Sequence, residues 1–168
     1  MTLHKDLNGN IHDDMDGTAI NMLPSGCVQI TDAQADAIRN PLPTLAQAQA
    51  ARIADVTTLQ NAKLYSNIPA AFPSGTKIIQ MRNSEDWVNF LTAITDASLL
   101  AGSDQVSFRT LDNVTQALTA AQLIAIGVTV IAVKKTILEQ GWVHDDAIMA
   151  LATVSAVQAY DITTGWPV

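Results

Sequence analysis

Residues 117–133 read ALTAAQLIAIGVTVIAV and form the most apolar stretch of the chain. Thr119 and Gln122 are spaced as a helical capping box, and Leu118 and Leu123 flank it as a hydrophobic staple would. From this start, apolar residues cover most of a helix circumference, which is typical of a buried helix. The stretch is slightly short for a membrane span, contains Gln122 and lacks Trp or Tyr anchors. The sequence therefore predicts a core helix and no membrane insertion.

The same pattern predicts where this helix ends. Apolar residues continue to about Gln140, and Gly141 follows as a candidate stop. We expect a last helical stretch over residues 145–158, with His144 or Asp145 as a candidate N-cap. It leads into the closing residues YDITTGWPV.

The segment before the core helix mixes short strands with one amphipathic helix. Apolar residues at i, i+3, i+4 and i+7 predict a helix that begins at Ser84 as its N-cap; these residues are Trp87, Phe90, Leu91 and Ile94. TKIIQM, residues 76–81, predicts a strand, whereas IPAAFPSG before it predicts a break. Residues 105–119 predict a hairpin that turns at Asp112-Asn113.

The first forty residues predict a small separate module. LHKDLNGNIHDDMD has the Asn-Gly turn of a hairpin between its apolar residues, and a third strand is expected at Val28 to Ile30. Thr31 and Gln34 form a second capping box and begin a short helix. Asn40-Pro41 must end that helix.

A long Ala- and Gln-rich helix follows the NPLP joint at residues 40–43. Its narrow apolar stripe suits close packing between helices, and the stripe consists of Leu45, Ile53, Val56 and Leu59. We expect this stripe to join identical chains into a homo-oligomer; the alternative is a helix that lies across its own domain.

These elements predict an α+β protein in three parts. Residues 1–43 are expected to form the N-terminal β-hairpin module with a short helix, and residues 44–68 a linking or oligomerisation helix. Residues 69–168 are expected to form a helical domain with short strands and a hairpin.

Composition limits the classes of partner. The chain has 48% hydrophobic and only 15% charged residues, and its net charge is −7. An acidic chain repels phosphate backbones, so nucleic acid is not an expected partner. Cys27 is the only cysteine, so no internal disulfide can form.

Two HDD triplets are the candidate metal ligands, at His12/Asp13/Asp14 and at His144/Asp145/Asp146. Consecutive strand residues point to opposite faces, so three in a row rarely converge on one ion. We therefore expect no metal and no cofactor, with a polar turn at the first triplet and a helix N-cap at the second.

The sequence offers only weak candidates for catalytic residues. Cys27 lies near the hairpin that carries His4 and His12, but a small packing residue is the better interpretation. Glu85 and Glu139 are the only glutamates and do not lie in aromatic-rich stretches. We expect no enzymatic activity and no catalytic residue.

Several of these stretches together resemble small bacteriophage tail proteins. The N-terminal HKDLNGNIHDD, the LPSGCVQITDAQA that follows and the Pro-flanked Ala/Gln-rich helix are similar to a module at the front of such proteins. FRTLDNVTQALTAAQL and YDITTGWP resemble a domain of unassigned function in phage tail proteins. Between residues 62 and 104 the resemblance is loose.

The resemblance implies a protein of the virion tail that works through contacts with other tail proteins and with the host surface. A small fibre, a fibre adaptor or a baseplate-periphery protein fits, with synthesis and assembly in the host cytoplasm. The alternative is a tail-fibre assembly chaperone that leaves before the virion is complete. A host-surface-degrading enzyme is the third alternative.

The C-terminal Gly-Trp-Pro is expected to act as a clamp. An exposed Trp166 would forfeit a burial of about 2 to 3 kcal/mol. We therefore expect Trp166 and Pro167 to make structural contacts, with Trp166 against the helix that begins near Thr119. The alternative is docking on a neighbouring subunit.

Overall fold

The computed structural model describes residues 2–14 and 23–167, which form two compact units, Met1–Thr44 and Leu45–Val168. Helices and short antiparallel strands occur in both units, so the predicted α+β class is confirmed.

The first unit contains a three-stranded antiparallel sheet. Its strands are β1 (Thr2–Lys5), β2 (Ile11–Asp14) and β3 (Val28–Ile30), in the order β2-β1-β3. The predicted hairpin and third strand are thus confirmed within the described residues; the end of the hairpin stretch, at residues 15 and 16, lies outside them.

Asp6 organises the hairpin turn. Its carboxylate accepts hydrogen bonds from the side chain of Asn10, from the ring of His12 and from the backbone N–H groups of Asn8 and Asn10. These bonds hold the pKa of Asp6 well below its usual range, and the bond from the Asn10 side chain has the largest effect.

Helix α1 (Asp32–Arg39) completes the first unit. Thr31 and Gln34 form both hydrogen bonds of the predicted capping box, and Asn40 caps the other end. The local signals that begin and end this helix therefore work as the sequence indicates.

The second unit contains four helices and two hairpins. In chain order they are α2 (Leu45–Leu64), β4 (Ile68–Phe72), β5 (Gly75–Ile79), α3 (Ser84–Ser98), β6 (Gln105–Arg109), β7 (Thr115–Thr119), α4 (Ala120–Met149) and α5 (Val154–Ala159).

Helix α2 is part of this second unit and not a separate linking segment. It packs along α4 and α5, and the chain divides after Thr44 and not on both sides of the helix. The expected three-part division is corrected accordingly, because α2 buries its apolar side against its own domain.

Strand β4 lies where the sequence predicted a break. Ile68, Ala70 and Phe72 are buried, while the residues between them are exposed. This alternation is a strand pattern, and Pro69 is tolerated because a two-stranded sheet consists only of edge strands. Gly75, with φ of 105°, begins β5 after the turn.

Helix α3 brings three of the four residues of the predicted apolar face to one hydrophobic core, and the fourth, Leu91, is half-buried outside that core. Phe90 is buried, and Trp87 and Ile94 pack against the same core. The N-cap is Asn83 and not Ser84, because the Asn83 side chain accepts the hydrogen bond from the backbone N–H of Asp86.

Helix α4 begins as predicted but continues well beyond Gly141. Both hydrogen bonds of the Thr119/Gln122 capping box are present. Gly141 does not stop the helix: its missing side chain leaves room for Gln60 of α2, whose Nε2 would lie 1.9 Å from an added Cβ. The last helix is correspondingly short and begins after Thr153.

Two hydrophobic cores share α4. The first lies on its N-terminal half, between α3 and the two hairpins; its largest members include Ile79, Met81, Phe90, Leu118, Leu123 and Val130. The second lies on its C-terminal half, against α2, α5 and the C-terminal residues; it contains Ala48, Val56, Ile137, Ile148, Val157, Ile162 and Trp166.

Lys134 lies between the two cores. Its ammonium group donates to the carbonyl oxygen of Leu64 and lies 4.7 Å from the ring centroid of Trp87 and 5.4 Å from that of Tyr65. Burial lowers the pKa of Lys134. The carbonyl and the two rings partly replace the water that the ammonium group loses.

Among the described residues, α4 alone is long and apolar enough to cross a membrane, with a mean hydropathy of 1.7 over 18 residues. A third of that window is buried inside the protein. Length and composition do not distinguish a span from a core helix, so the absence of membrane insertion stays a prediction.

Gly127→Ala tests how closely α3 and α4 pack. A Cβ at this position would lie 2.6 Å from Ile94 Cδ1, so we expect the free energy of unfolding to fall by about 1 to 2 kcal/mol despite the better helix propensity of Ala. In an Ile94→Ala background the same change should raise it by about 0.5 to 1 kcal/mol. Urea unfolding measures both; equal effects in the two backgrounds would contradict this packing.

Candidate functional site

The C-terminal residues fold back onto α4 and form a hydrogen-bonded site with it. We call it the C-terminal cluster: His144 on α4, with Tyr160, Ile162, Thr164 and Trp166 from the segment that ends and follows α5.

Trp166 is the apolar anchor of the cluster. The side chain is 8% exposed, and its ring centroid lies 5.2 Å from that of His144. The indole Nε1–H donates to the carbonyl oxygen of Ile162 at 2.7 Å, so the one polar atom of the ring is satisfied. The structure thus places Trp166 against the predicted helix of its own chain; Pro167 beside it is half-buried.

His144 is buried with a partner on each ring nitrogen. Nε2 lies 3.0 Å from the carbonyl oxygen of Thr164, and Nδ1 lies 3.0 Å from the hydroxyl of Tyr160. A carbonyl can only accept, so Nε2 donates; in the neutral imidazole Nδ1 then accepts from the tyrosine hydroxyl. Both nitrogens are used inside the chain, which is the arrangement of a structural histidine.

Helix α2 holds the cluster from the other side. Arg52 Nε donates to the carbonyl oxygen of Tyr160 at 3.2 Å. Gln49 Nε2 lies within 3.3 Å of the carbonyl oxygens of Ile148, Met149 and Leu151. These carbonyl groups belong to the end of α4 and the turn after it, where the helix no longer supplies backbone N–H groups as hydrogen-bond donors. Gln49 therefore caps α4 from a distant part of the chain.

Gln49, Arg52 and Gln60 were not predicted as site residues from the sequence. The only available signal was long polar side chains within an alanine-rich helix, which is also the pattern of a solvated face. Their roles depend on carbonyl groups about eighty to a hundred residues away.

The apolar stripe of α2 packs inside the chain. Val56 is 1% exposed, and Leu45, Ile53 and Leu59 are partly buried against the second core. The expectation that this stripe joins identical chains is corrected: its side chains are used by α4, α5 and the C-terminal segment. The alternative, a helix across its own domain, describes what the structure shows.

The second HDD triplet lies within α4 and caps no helix, which corrects the predicted N-cap. Successive residues of a helix point about 100° apart, and the three side chains accordingly differ: His144 is buried, Asp145 half-buried and Asp146 exposed. Asp145 Oδ1 is inaccessible and has no hydrogen-bond partner among the described residues. Burial, together with the negative charge of Asp146, raises the pKa of Asp145.

The first triplet lies on β2. His12 Nε2 contacts the Asp6 carboxylate at 3.1 Å, Asp13 is exposed and Asp14 is buried. Across residues 2–14 and 23–167, no three His, Cys, Asp or Glu side chains form a group that could hold a metal ion.

The other candidate catalytic residues, Cys27, Glu85 and Glu139, lie on different elements of the structure. Cys27 is half-buried beside the turn before β3. Glu85 lies in the first turn of α3, and Glu139 lies on α4, where it pairs with Lys135 at 3.5 Å. Within residues 2–14 and 23–167, none of the three has an activating partner of the kind that acid–base or nucleophilic chemistry uses.

Comparisons with known proteins give one match. Residues 47–164 match the family model described as a domain of unknown function (DUF4376), and this match covers more than half of the chain. No curated protein and no solved structure matches the chain.

Trp166→Ala should remove the anchor of the C-terminal cluster. We expect a loss of about 3 kcal/mol or more of folding free energy, because a buried indole and its hydrogen bond disappear together. Urea unfolding of the full chain measures it. Leu99→Ala is the control, since Leu99 is 81% exposed and its truncation should change stability by less than about 0.5 kcal/mol. Equal, small losses would contradict the clamp.

Asp145→Asn should stabilise the chain at neutral pH. The folded chain binds the Asp145 proton more tightly than the unfolded chain, so stability falls as pH rises from the ordinary value of 3.8 through the raised pKa. Asn removes this loss, and the advantage should shrink as the pH is lowered. Urea midpoints of dilute protein across this range measure it, with the exposed Asp13→Asn as a control for lost charge. A variant less stable than wild type at neutral pH would refute the prediction.

Proposed function

Since the chain belongs to the DUF4376 family, a domain of unknown function, we propose from its own residues that it is a structural component of a bacteriophage tail. It acts through contacts with other tail proteins, as a small fibre, a fibre adaptor or a baseplate-periphery protein. The tail role comes from the sequence resemblance, and the mode of action comes from the surfaces of the two units.

The single observation that carries this mode of action is the exposure of large apolar side chains in both units. In the first unit Leu7, Val28 and Leu42 are each at least 65% exposed. In the second, Trp142 and Met149 are about 60% exposed. Apolar surface of this kind, in a chain with 15% charged residues, favours contact with other proteins.

The first unit presents a concave surface as well. A cleft of about 560 Å³ is lined mainly by apolar side chains of β3 and α1, including Val28, Ile30 and Ile38, and by Leu7 from the hairpin turn. Lys5 and Asp6 lie at the same cleft. Such a cleft suits an apolar side chain or a short segment of a partner protein. We assign it to docking on another tail protein.

The second unit offers a stable scaffold for contacts. Its C-terminal segment is held to α4 by the Trp166 and His144 contacts, and Gln49 caps the end of that helix. A scaffold that is held together at its chain end can present a fixed surface to the host or to a neighbouring protein.

The test is quantitative mass spectrometry of purified, mature particles of the phage that encodes the chain. We expect this chain at a fixed whole-number ratio to a tail protein of known copy number, with the major capsid protein as the internal control. The same chain should be present in the host cytoplasm during assembly.

Two other outcomes overturn the proposal. Absence from particles, together with a stable complex with a tail fibre in the infected-cell lysate, would make the chain a fibre-assembly chaperone. Absence from both the particle and any complex with tail proteins would remove the tail role altogether.

A further inference from the structure

The side of α4 that faces neither core carries a regular row of residues. From residue 128 to residue 149, successive members of this row are separated alternately by three and by four positions. This is the a/d pattern of a coiled-coil helix. We call this row the α4 stripe: Val128, Ile131, Lys135, Leu138, Trp142, Asp145 and Met149.

The apolar members of the stripe are accessible. Val128, Ile131, Leu138, Trp142 and Met149 are between 38% and 63% exposed. The inner face of the same helix supplies both cores, so α4 is apolar on two sides and only one side is covered by its own chain. A heptad row on a surface helix indicates a second helix as its partner.

The two charged members of the stripe decide which helix fits. Between residues 131 and 149, the stripe is symmetric about Gln140. Lys135 and Asp145 lie five residues before and after it. Two apolar pairs have the same symmetry: Leu138 and Trp142 at a separation of two residues, and Ile131 and Met149 at a separation of nine. A second copy of α4 that runs antiparallel, with the twofold axis at Gln140, therefore pairs opposite charges with each other and apolar residues with each other.

A parallel pairing fails the same test. It would place Lys135 opposite Lys135 and Asp145 opposite Asp145, and like charges directly opposite each other are unfavourable. We propose that the chain forms a homodimer in which the α4 stripes of two copies pack antiparallel and Lys135 of each copy meets Asp145 of the other.

The carboxylate of Asp145 supports this arrangement. One of its oxygens is inaccessible and has no partner among the described residues, while the side chain as a whole is half-buried. An ammonium group that approaches the accessible part of this side chain lowers the cost of its partly buried negative charge without contacting the inaccessible oxygen. Lys135 is free to reach it, because its own-chain pair with Glu139 is an exposed one with 73% of the lysine accessible.

This inference is independent of the proposed tail role, since any soluble form of the chain would dimerise. The proposed contact between identical chains lies on α4 and not on α2, where the sequence predicted it, because the apolar stripe of α2 packs inside the chain. An anionic membrane surface is a poorer occupant: the stripe contains Asp145, and Glu139 and Asp146 lie on the same exposed half of the helix.

Light scattering on a sizing column, with the full chain at about 1 to 100 μM, a range that covers typical dimer affinities, is the first measurement. We expect a dimer in the wild type and a dissociation constant at least about 10-fold higher in Trp142→Glu. Val143→Glu is the matched control, because Val143 is 56% exposed on the same helix and lies off the stripe; its dimer should stay intact. Far-UV circular dichroism checks that both variants fold.

A charge exchange tests the direction of the helices. Lys135→Asp should weaken the dimer, since it places a carboxylate opposite Asp145, and adding Asp145→Lys should restore it. In a parallel dimer the double variant would keep like charges opposite each other and gain nothing. A wild-type monomer throughout the range, a dimer that Trp142→Glu leaves intact, or a Lys135→Asp loss that Asp145→Lys does not repair would overturn the proposal.

Vesicles provide the remaining outcome. The chain should not sediment with phosphatidylcholine vesicles, with or without phosphatidylglycerol. Sedimentation that Trp142→Glu abolishes, in a chain that remains monomeric, would assign the stripe to a lipid surface and refute the dimer.

Discussion

The inner face of α4 is the constraint on which the second unit depends. One continuous helix from Ala120 to Met149 supplies a wall to both hydrophobic cores. Each large aliphatic side chain buried there contributes roughly 2 kcal/mol, so neither core can be assembled without it. Because the helix is long and rigid, it also fixes the distance between α3 at one end and the C-terminal segment at the other. Lys134 lies where the two cores meet and satisfies its charge with a carbonyl and two rings.

The C-terminal half of the unit is held by polar groups as much as by apolar ones. His144 takes a partner on each ring nitrogen, and Gln49 caps the end of α4. Unpaired buried polar groups are costly, so these contacts favour the observed arrangement of the C-terminal segment on α4. The contacts of His144 with Tyr160 and Thr164 therefore give this histidine a structural role.

The exposed surface, unlike the interior, has apolar side chains that do not pack against the chain itself. What remains exposed is apolar on the outer side of α4 and at the cleft of the first unit. A chain with so few charges and such surfaces is suited to contact with other proteins. Within the α4 stripe, Lys135 and Asp145 are placed so that one orientation of a second copy is favoured over the other, which makes charge a source of specificity at an apolar contact.

The sequence by itself determined the features that depend on a few neighbouring residues. Both confirmed capping boxes, the hairpin turns and the amphipathic face around Phe90 follow from spacings of two to seven residues. Trp166 was also predicted from the sequence as a structural contact of the C-terminal segment. Only the tertiary structure decided that Gly141 continues a helix and that Gln49 caps one. The choice between a glycine stop and a glycine that admits Gln60 depends on a side chain about eighty residues away, and no local pattern carries that information.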